Sequence, residues 1–277
     1  MNAIEIKNLT KHYRDFTLDN LSLTLPEGCI LGLIGENGAG KTTTMRLLLG
    51  MARPDGGTAE VLGSEGRAVR EQLGVVMDEP GLPACLTSEQ VGKLLGGLYK
   101  SWDAAEYDAL LERLQIPRGK PYGEFSRGNK MKLGIAIALA HHPRLLLLDE
   151  PTSGLDPVVR DEVVELFSEF TRDEEHSILI SSHIVSDLER LCDYVAFLHD
   201  GRLLLCEEKD ALLDQFALYR CSPEELAAID PAAVLGKKET PYSVSALVRR
   251  EALPAGADFS PVTLEELFVA MVKEGQA

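Results

Sequence analysis

Hydrophobic and polar residues alternate near the N-terminus of the chain, and the pattern changes twice before position 50. Apolar residues recur at every second position within 4–6 and 21–25, which predicts an antiparallel sheet with one buried face. A uniformly apolar segment at 29–34 predicts a short buried strand. We expect a helix from about 40 to 49, directly after a glycine-rich loop.

The middle of the chain first has helical periodicity and then returns to buried strands. A helical region is predicted over 87–140, where the residues that share one face include Tyr107, Leu110, Leu111 and Leu114. Apolar segments at 144–148 and 177–182 predict two strands, and 158–170 predicts a helix between them. This order predicts a parallel strand–helix–strand unit within an α/β fold.

The periodicity weakens from residue 217 onward, where prolines become frequent. We expect a small C-terminal extension that ends in a helix at 264–272. No apolar run approaches the roughly 20 residues of a membrane-spanning helix, and the N-terminus lacks the pattern of a secretion signal. If the protein works at a membrane, another chain is expected to hold it there.

The net charge argues against a nucleic-acid partner, and the cysteine spacing argues against zinc and disulfides. The formal net charge of −16 over 277 residues argues against nucleic acid as the main partner, since phosphate-backbone binding uses clustered cations. A nucleotide remains possible, because it needs only one or two cations and a set of backbone donors. The spacing of the cysteines predicts neither a zinc site nor disulfides and fits a reduced cytosol; they are Cys29, Cys85, Cys192, Cys206 and Cys221.

The glycine-rich loop matches the phosphate-binding P-loop pattern at every defined position. Its sequence is Gly35-Glu36-Asn37-Gly38-Ala39-Gly40-Lys41-Thr42. The glycines let backbone N–H groups approach phosphates, and the following helix directs its N-terminus toward them. We expect Lys41 to reach the β- and γ-phosphates of ATP and the Thr42 hydroxyl to bind Mg²⁺. A glycine-rich turn without a ligand is the less favoured alternative.

Two acids and one histidine end the later apolar strands, where ligands of open α/β sheets bind. Asp149 is suited to hold Mg²⁺, and Glu150 to orient and deprotonate the attacking water. His183 follows the next strand, and a neutral imidazole there can donate a hydrogen bond to a γ-phosphate. The remaining histidines are expected to be structural or exposed: His12, His141, His142, His176 and His199.

The order of these motifs resembles the ATP-binding cassette (ABC) family. The P-loop is followed by the helical region, then by FSRGN at 125–129, LLLLDEPTSGLDP at 145–157 and SSH at 181–183. The resemblance implies a P-loop NTPase (RecA-like) core with an antiparallel β subdomain and a helical subdomain. We therefore expect an ABC ATP-binding domain over 1–217, with the helical subdomain at 87–140, and a small C-terminal domain over 218–277.

The resemblance also assigns roles to residues outside the P-loop. Ser126, Arg127, Gly128 and Asn129 correspond to the signature motif, which contacts the ATP held by a partner subunit, and this SRGN form resembles ABC-2-type exporters. Asp78 stands where the family has glutamine, and we expect it near Mg²⁺.

Tyr13 matches the aromatic residue that stacks on adenine, with Phe16 as its rival, and Asp156 belongs to the loop through which two subunits sense each other. The ATP-binding set implied in this way is Tyr13, Gly35, Glu36, Asn37, Gly38, Ala39, Gly40, Lys41, Thr42 and Thr43.

We therefore expect an ATP-hydrolysing transporter subunit that uses ATP and Mg²⁺ and drives export through a separate integral membrane permease. It would pair with a second ABC subunit and lie on the inner face of the membrane. One alternative is a soluble ABC ATPase that acts with a non-membrane partner. The other is a P-loop kinase of small molecules, which the segment 148–157 disfavours.

Overall fold

The computed structural model describes residues 1–64, 69–77, 81–239 and 244–274, and strands within these ranges form three sheets. The strands are β1 (Asn2–His12), β2 (Thr17–Pro26), β3 (Ile30–Ile34), β4 (Gly56–Val61), β5 (Leu73–Val76), β6 (Leu145–Asp149), β7 (Ser177–Ser182), β8 (Tyr194–His199), β9 (Arg202–Glu208), β10 (Phe216–Cys221), β11 (Val234–Glu239), β12 (Val244–Arg249) and β13 (Phe259–Ser260). The α-helices are α1 (Lys41–Leu48), α2 (Ser88–Gly96), α3 (Ala104–Arg113), α4 (Arg127–Leu139), α5 (Pro157–Phe170), α6 (Val185–Leu191), α7 (Lys209–Asp214), α8 (Pro223–Ala227) and α9 (Leu264–Glu274).

The N-terminal strands form the antiparallel sheet that the alternating pattern predicts, in the order β2-β1-β4. Ile4 pairs with Leu25 and Ile6 with Leu23, so one face carries the apolar side chains into a buried cluster shared with α1 and β3. Two-residue periodicity is enough to specify this face, because a shift of one residue would expose every apolar side chain.

The central sheet has the order β5-β6-β7-β3-β8-β9. Its first five strands are parallel, and β9 runs antiparallel to β8. The predicted parallel unit is confirmed as β6, α5 and β7. Every residue of β3, β6 and β7 is buried, as expected for strands covered on both faces. The carboxyl ends of these three neighbouring strands consequently meet at one edge.

The predicted helical region contains α2, α3 and α4. The predicted apolar face of α3 is confirmed, since Tyr107, Leu110 and Leu111 are almost fully buried. Helix α4 packs against α3 and against β5 at the edge of the central sheet. In the part of the chain that the structure describes, no helix is both long enough and apolar enough to cross a membrane.

The C-terminal extension has more structure than its sequence pattern predicts. Its strands form an antiparallel sheet in the order β11-β12-β10-β13, with a small apolar cluster of its own. The predicted terminal helix is present as α9, but it packs on the main core, where Leu264 and Leu267 have no exposed surface. The boundary at 217 lies inside β10 and stays a prediction.

Candidate functional site

The P-loop connects β3 to α1, as its sequence predicts. Gly38 and Gly40 adopt φ angles of 87° and 113°, which are strained for any residue with a side chain. A Cβ atom on Gly35 would lie 2.5 Å from the carbonyl oxygen of Leu198. The glycines therefore permit both the turn and its close packing on the end of β8.

Lys41 joins the P-loop to the acidic strand end. Its side chain is 6% exposed, and Nζ lies 3.4 Å from Oε1 of Glu150. The same ammonium group donates to the carbonyl oxygens of Gly35 at 2.6 Å and Glu36 at 3.2 Å. The structure thus brings the two predicted motifs into one site, with the lysine charge between them.

Asp149 is fixed by two hydroxyl groups. Thr42 Oγ1 donates to its Oδ2 at 2.7 Å, and Ser181 Oγ donates to its Oδ1 at 2.6 Å. Asp149 is 1% exposed, so these bonds satisfy a carboxylate that water barely reaches. Ser181 is not among the residues predicted from the sequence, although two serines and a histidine at the end of an apolar strand signal a polar strand end.

Glu150 and His183 contact each other across the ends of β6 and β7. Glu150 has a φ of 53°, and its N–H approaches Ser181 O at 3.1 Å and Ser181 Oγ at 3.2 Å. Its Oε2 lies 2.5 Å from His183 Nδ1 and accepts the His183 N–H at 3.2 Å. A carboxylate only accepts hydrogen bonds, so Nδ1 donates here, and the Nε2 of a neutral His183 then carries no proton.

The oxygens near Thr42 fit a magnesium ion. Mg²⁺ prefers oxygen ligands and is usually held by one or two protein groups, with water and phosphate oxygens completing its shell. Thr42 Oγ1 and Asp149 Oδ2 lie side by side at 2.7 Å at the start of the helix to which the P-loop leads. Asp78, the third predicted metal-binding residue, lies outside the described residues.

The two aromatic candidates for an adenine contact have different surroundings. Tyr13 is 45% exposed, and the Lys11 ammonium lies 5.7 Å from the centre of its ring. Phe16 packs against the P-loop, since a Cβ on Gly40 would lie 3.0 Å from its Cζ. Tyr13 therefore has a ring available to solvent, whereas the Phe16 ring supports the loop.

The remaining P-loop residues lie on two sides of the loop. Asn37 is exposed, Thr43 is half-buried and Ala39 is buried. Ala39 accepts the Gly201 N–H at 3.0 Å, and Glu36 Oε1 lies 2.7 Å from His199 Nδ1. The end of β8 and the turn that follows it thus contact the P-loop and support it.

The signature segment opens a helix, as the resemblance implies. Ser126 is the N-cap of α4 and accepts the Asn129 N–H at 3.3 Å, while Gly128 follows in the first turn. Arg127 packs on Gly154, and its guanidinium lies 3.4 Å from Ser153 Oγ. Asp156 caps α5 by accepting the N–H groups of Val158 and Val159 at 3.1 Å.

The chain is similar to known proteins of one family. The ABC transporter family model matches residues 18–153. The chain is 38% identical over 209 residues to the bacitracin transport ATP-binding protein BcrA of Bacillus licheniformis, covering 73% of this chain and 68% of that protein. It is 34% identical over 244 residues to the Nod factor export ATP-binding protein I of Sinorhizobium fredii (strain NBRC 101917 / NGR234), covering 82% and 71%.

A solved structure with the same fold is described as the ATP-binding subunit of an ABC transporter. It superposes with a TM-score of 0.69 at 29% sequence identity, covering 77% of this chain and 92% of the other. The fold, the joined P-loop and acidic motifs, and these relatives agree with one another. The chain belongs to the ABC transporter family, as an ATP-binding and ATP-hydrolysing subunit.

Proposed function

We propose that this subunit drives export through a separate membrane permease and that it hydrolyses ATP where the P-loop meets the ends of β6 and β7. The observation that carries the proposal is the contact of Lys41 with Glu150 together with the bond from Thr42 to Asp149. These contacts join the phosphate-binding loop to two carboxylates, Asp149 held by hydroxyl groups and Glu150 held by Lys41 and His183. A site of this composition can hold a triphosphate and activate water beside it.

Different residues of the site bind the phosphates, the base and the metal ion. Backbone N–H groups of the loop and the Lys41 ammonium bind the phosphates, and the exposed Tyr13 ring stacks on the base. Thr42 and Asp149 hold Mg²⁺, which neutralises phosphate charge when it is bound. Ser181 keeps the Asp149 carboxylate in place.

Glu150 is the base for the attacking water, because its carboxylate lies next to Lys41 without being held by Thr42 or Ser181. His183 orients Glu150 through the 2.5 Å contact at Nδ1. A direct bond from His183 to the γ-phosphate then requires either a protonated ring or release from Glu150. This limits the donor role that the sequence suggests for a neutral imidazole.

A second cassette is part of the proposal. The N-terminus of α4, with Ser126 as its cap, presents backbone N–H groups that suit a phosphate. Arg127 and Asn129 belong to the same helix start. We assign this segment to the ATP of a partner subunit, which gives composite sites when two cassettes associate. The permease places the assembly at the inner face of the membrane, and the relatives named for bacitracin transport and Nod factor export favour an exported cargo.

The test is a pair of substitutions in the purified complex with its permease. Glu150→Gln should lower kcat for ATP by more than 100-fold with little change in ATP affinity, since the base is lost and the phosphate contacts remain. Lys41→Ala should instead weaken ATP binding itself. Tyr13→Ala should raise the KM for ATP, whereas Phe16→Ala should mainly lower thermal stability.

Two results would contradict the proposal. Undiminished turnover in Glu150→Gln removes Glu150 from the role of base. ATPase activity that is indifferent to reconstitution with every candidate permease, together with capture of a soluble partner, favours a soluble ABC ATPase over a transporter.

A further inference from the structure

We propose that Arg160 and Asp187 are positioning residues for hydrolysis, a partly buried ion pair that links the loop after Glu150 to the helix after His183. The proposal rests on the roles proposed for Glu150 and His183. In this proposal, Arg160 and Asp187 keep Glu150 and His183 in their relative positions. The Arg160–Asp187 pair closes to hydrogen-bonding distance in the state that hydrolyses ATP.

The pair lies between α5 and α6 and is open in this structure. Arg160 Nε and Asp187 Oδ2 are 3.8 Å apart, and the side chains are 30% and 10% exposed, respectively. A charged N–H···O⁻ bond is typically about 2.8 Å long, so the two atoms are about 1 Å too far apart for one. Among the described residues, neither atom has a hydrogen-bond partner. Buried polar atoms are usually satisfied, so this arrangement favours a state in which they meet.

Arg160 also contacts the loop that leads away from Glu150. One terminal nitrogen of its guanidinium approaches the carbonyl oxygen of Leu155 at 3.5 Å. Ser153, two residues earlier, donates its N–H to the carbonyl oxygen of Glu150 at 3.1 Å. The loop therefore contacts both Glu150 and Arg160.

Asp187 is connected to His183 through the chain, since its N–H donates to the carbonyl oxygen of Ile184, the residue after His183, at 3.3 Å. It lies in the first turn of α6, four residues after His183, where its charge is favoured by the helix dipole. The other side of α6 is fixed by Val185 and Leu188, which are buried in the main core. His183 Nδ1 in turn contacts Glu150, so contacts and the chain from 183 to 187 together connect Glu150, the loop, Arg160, Asp187 and His183.

The same two helices carry a matched control pair. Arg190 of α6 and Asp161 of α5 form an ion pair at 2.9 Å, and both side chains are 66% exposed. This pair connects the same elements but contacts solvent instead of the loop. Exposed pairs of this kind contribute little to stability. Removing it therefore measures how far kcat depends on any ion pair between α5 and α6.

The experiment measures kcat and KM for ATP in the complex with its permease, with Glu150→Gln assayed alongside. Asp187→Asn keeps the shape of the side chain but removes its charge, and it should lower kcat about 10-fold with KM within about twofold. Asp187→Glu keeps the charge and reaches further, so it should retain most of the activity. Arg160→Lys keeps the charge but loses the planar fork that reaches two partners, and it should behave like Asp187→Asn.

Coupling between the two residues gives a second readout. If they act as one unit, Arg160→Gln combined with Asp187→Asn should lower kcat no further than either substitution alone. Asp161→Asn and Arg190→Gln should each change kcat by less than twofold. Circular dichroism at the assay temperature confirms that each variant is folded, and if Asp187→Asn is not, Arg160→Lys and Asp187→Glu decide the question.

Each contrary result has a definite meaning. Full kcat in Asp187→Asn or in Arg160→Lys, strictly multiplicative effects of the two substitutions, or an equal loss from the exposed pair overturns the positioning role. If Glu150→Gln abolishes hydrolysis while these variants remain fully active, only this inference fails. If Glu150→Gln remains active, the proposed function fails with it.

Discussion

Ser181 offers a direct measurement of how the buried carboxylate of the site is held. Ser181→Ala removes the hydroxyl that donates to Asp149 Oδ1 at 2.6 Å. The Glu150 N–H, which also approaches this hydroxyl, keeps the Ser181 carbonyl oxygen as acceptor at 3.1 Å. The substitution therefore deletes one hydrogen bond to a charged group and leaves the neighbouring backbone contact intact.

The expected loss follows from burial and charge. Asp149 is 1% exposed, so water cannot replace the missing donor without rearrangement. Hydrogen bonds to charged groups contribute about 1.5–3 kcal/mol, against about 0.5–1.5 kcal/mol for neutral ones. Ser177 is a matched control on the same strand: it is also fully buried, but its hydroxyl accepts the Gly28 N–H at 2.9 Å. We expect Ser181→Ala to destabilise the protein by about 2 kcal/mol and Ser177→Ala by about 1 kcal/mol.

Chemical denaturation of the nucleotide-free subunit measures both values, and thermal melting should shift by at least about 2 °C per kcal/mol. A double-mutant cycle separates the charge from the hydroxyl. In an Asp149→Asn background, the acceptor is neutral, and the cost of Ser181→Ala should fall to about 1 kcal/mol.

Either of two outcomes refutes this reasoning. Equal costs for Ser181→Ala and Ser177→Ala would mean that the carboxylate gains nothing from the serine beyond a neutral contact. An undiminished cost in the Asp149→Asn background would assign the loss to packing at β7 and not to the charge.

Three further expectations concern other parts of the chain. Asp156→Ala should cost about 1 kcal/mol in urea denaturation, because it removes the N-cap of α5; a change below about 0.3 kcal/mol would contradict this. Burial raises the pKa of the Cys192 thiol, so a maleimide at pH 8 should label the exposed Cys85 first and Cys192 only after unfolding, as seen by mass spectrometry. Leu267→Ala should destabilise the ATPase core by about 2–5 kcal/mol, whereas Val248→Ala should destabilise the small C-terminal sheet. If Leu267→Ala leaves the unfolding transition of the ATPase core unchanged, α9 is not part of that core.

The sequence predicts the main components of the site because local pattern and sheet geometry act together. A P-loop motif between a buried strand and a helix specifies where Lys41 and Thr42 lie. Asp149 and Glu150 end another uniformly apolar strand, and parallel strands end at the same edge of their sheet. The meeting of the two motifs is therefore a consequence of the predicted fold.

Other features depend on contacts between distant segments that no local pattern contains. Ser181 acts on Asp149 only because β6 and β7 pair with these two residues in register. The pair of Arg160 and Asp187 needs the packing of α5 on α6. The sheet of the extension was not predicted, because β11 combines Gly236 with two lysines and lacks a continuous alternation.

The contacts of Lys41 connect the phosphate-binding loop to the proposed base. An ammonium group has three N–H donors, and in this structure three oxygens surround it, two from loop carbonyls and one from Glu150. At 6% exposure it needs such partners, since burying an unpaired charge is strongly unfavourable. A triphosphate in the loop offers several charged oxygens and competes with Glu150 for the ammonium. If the phosphates take over that contact, we expect Glu150 to keep its bond to His183 and to free Oε1, the carboxylate oxygen that would then accept a proton from water.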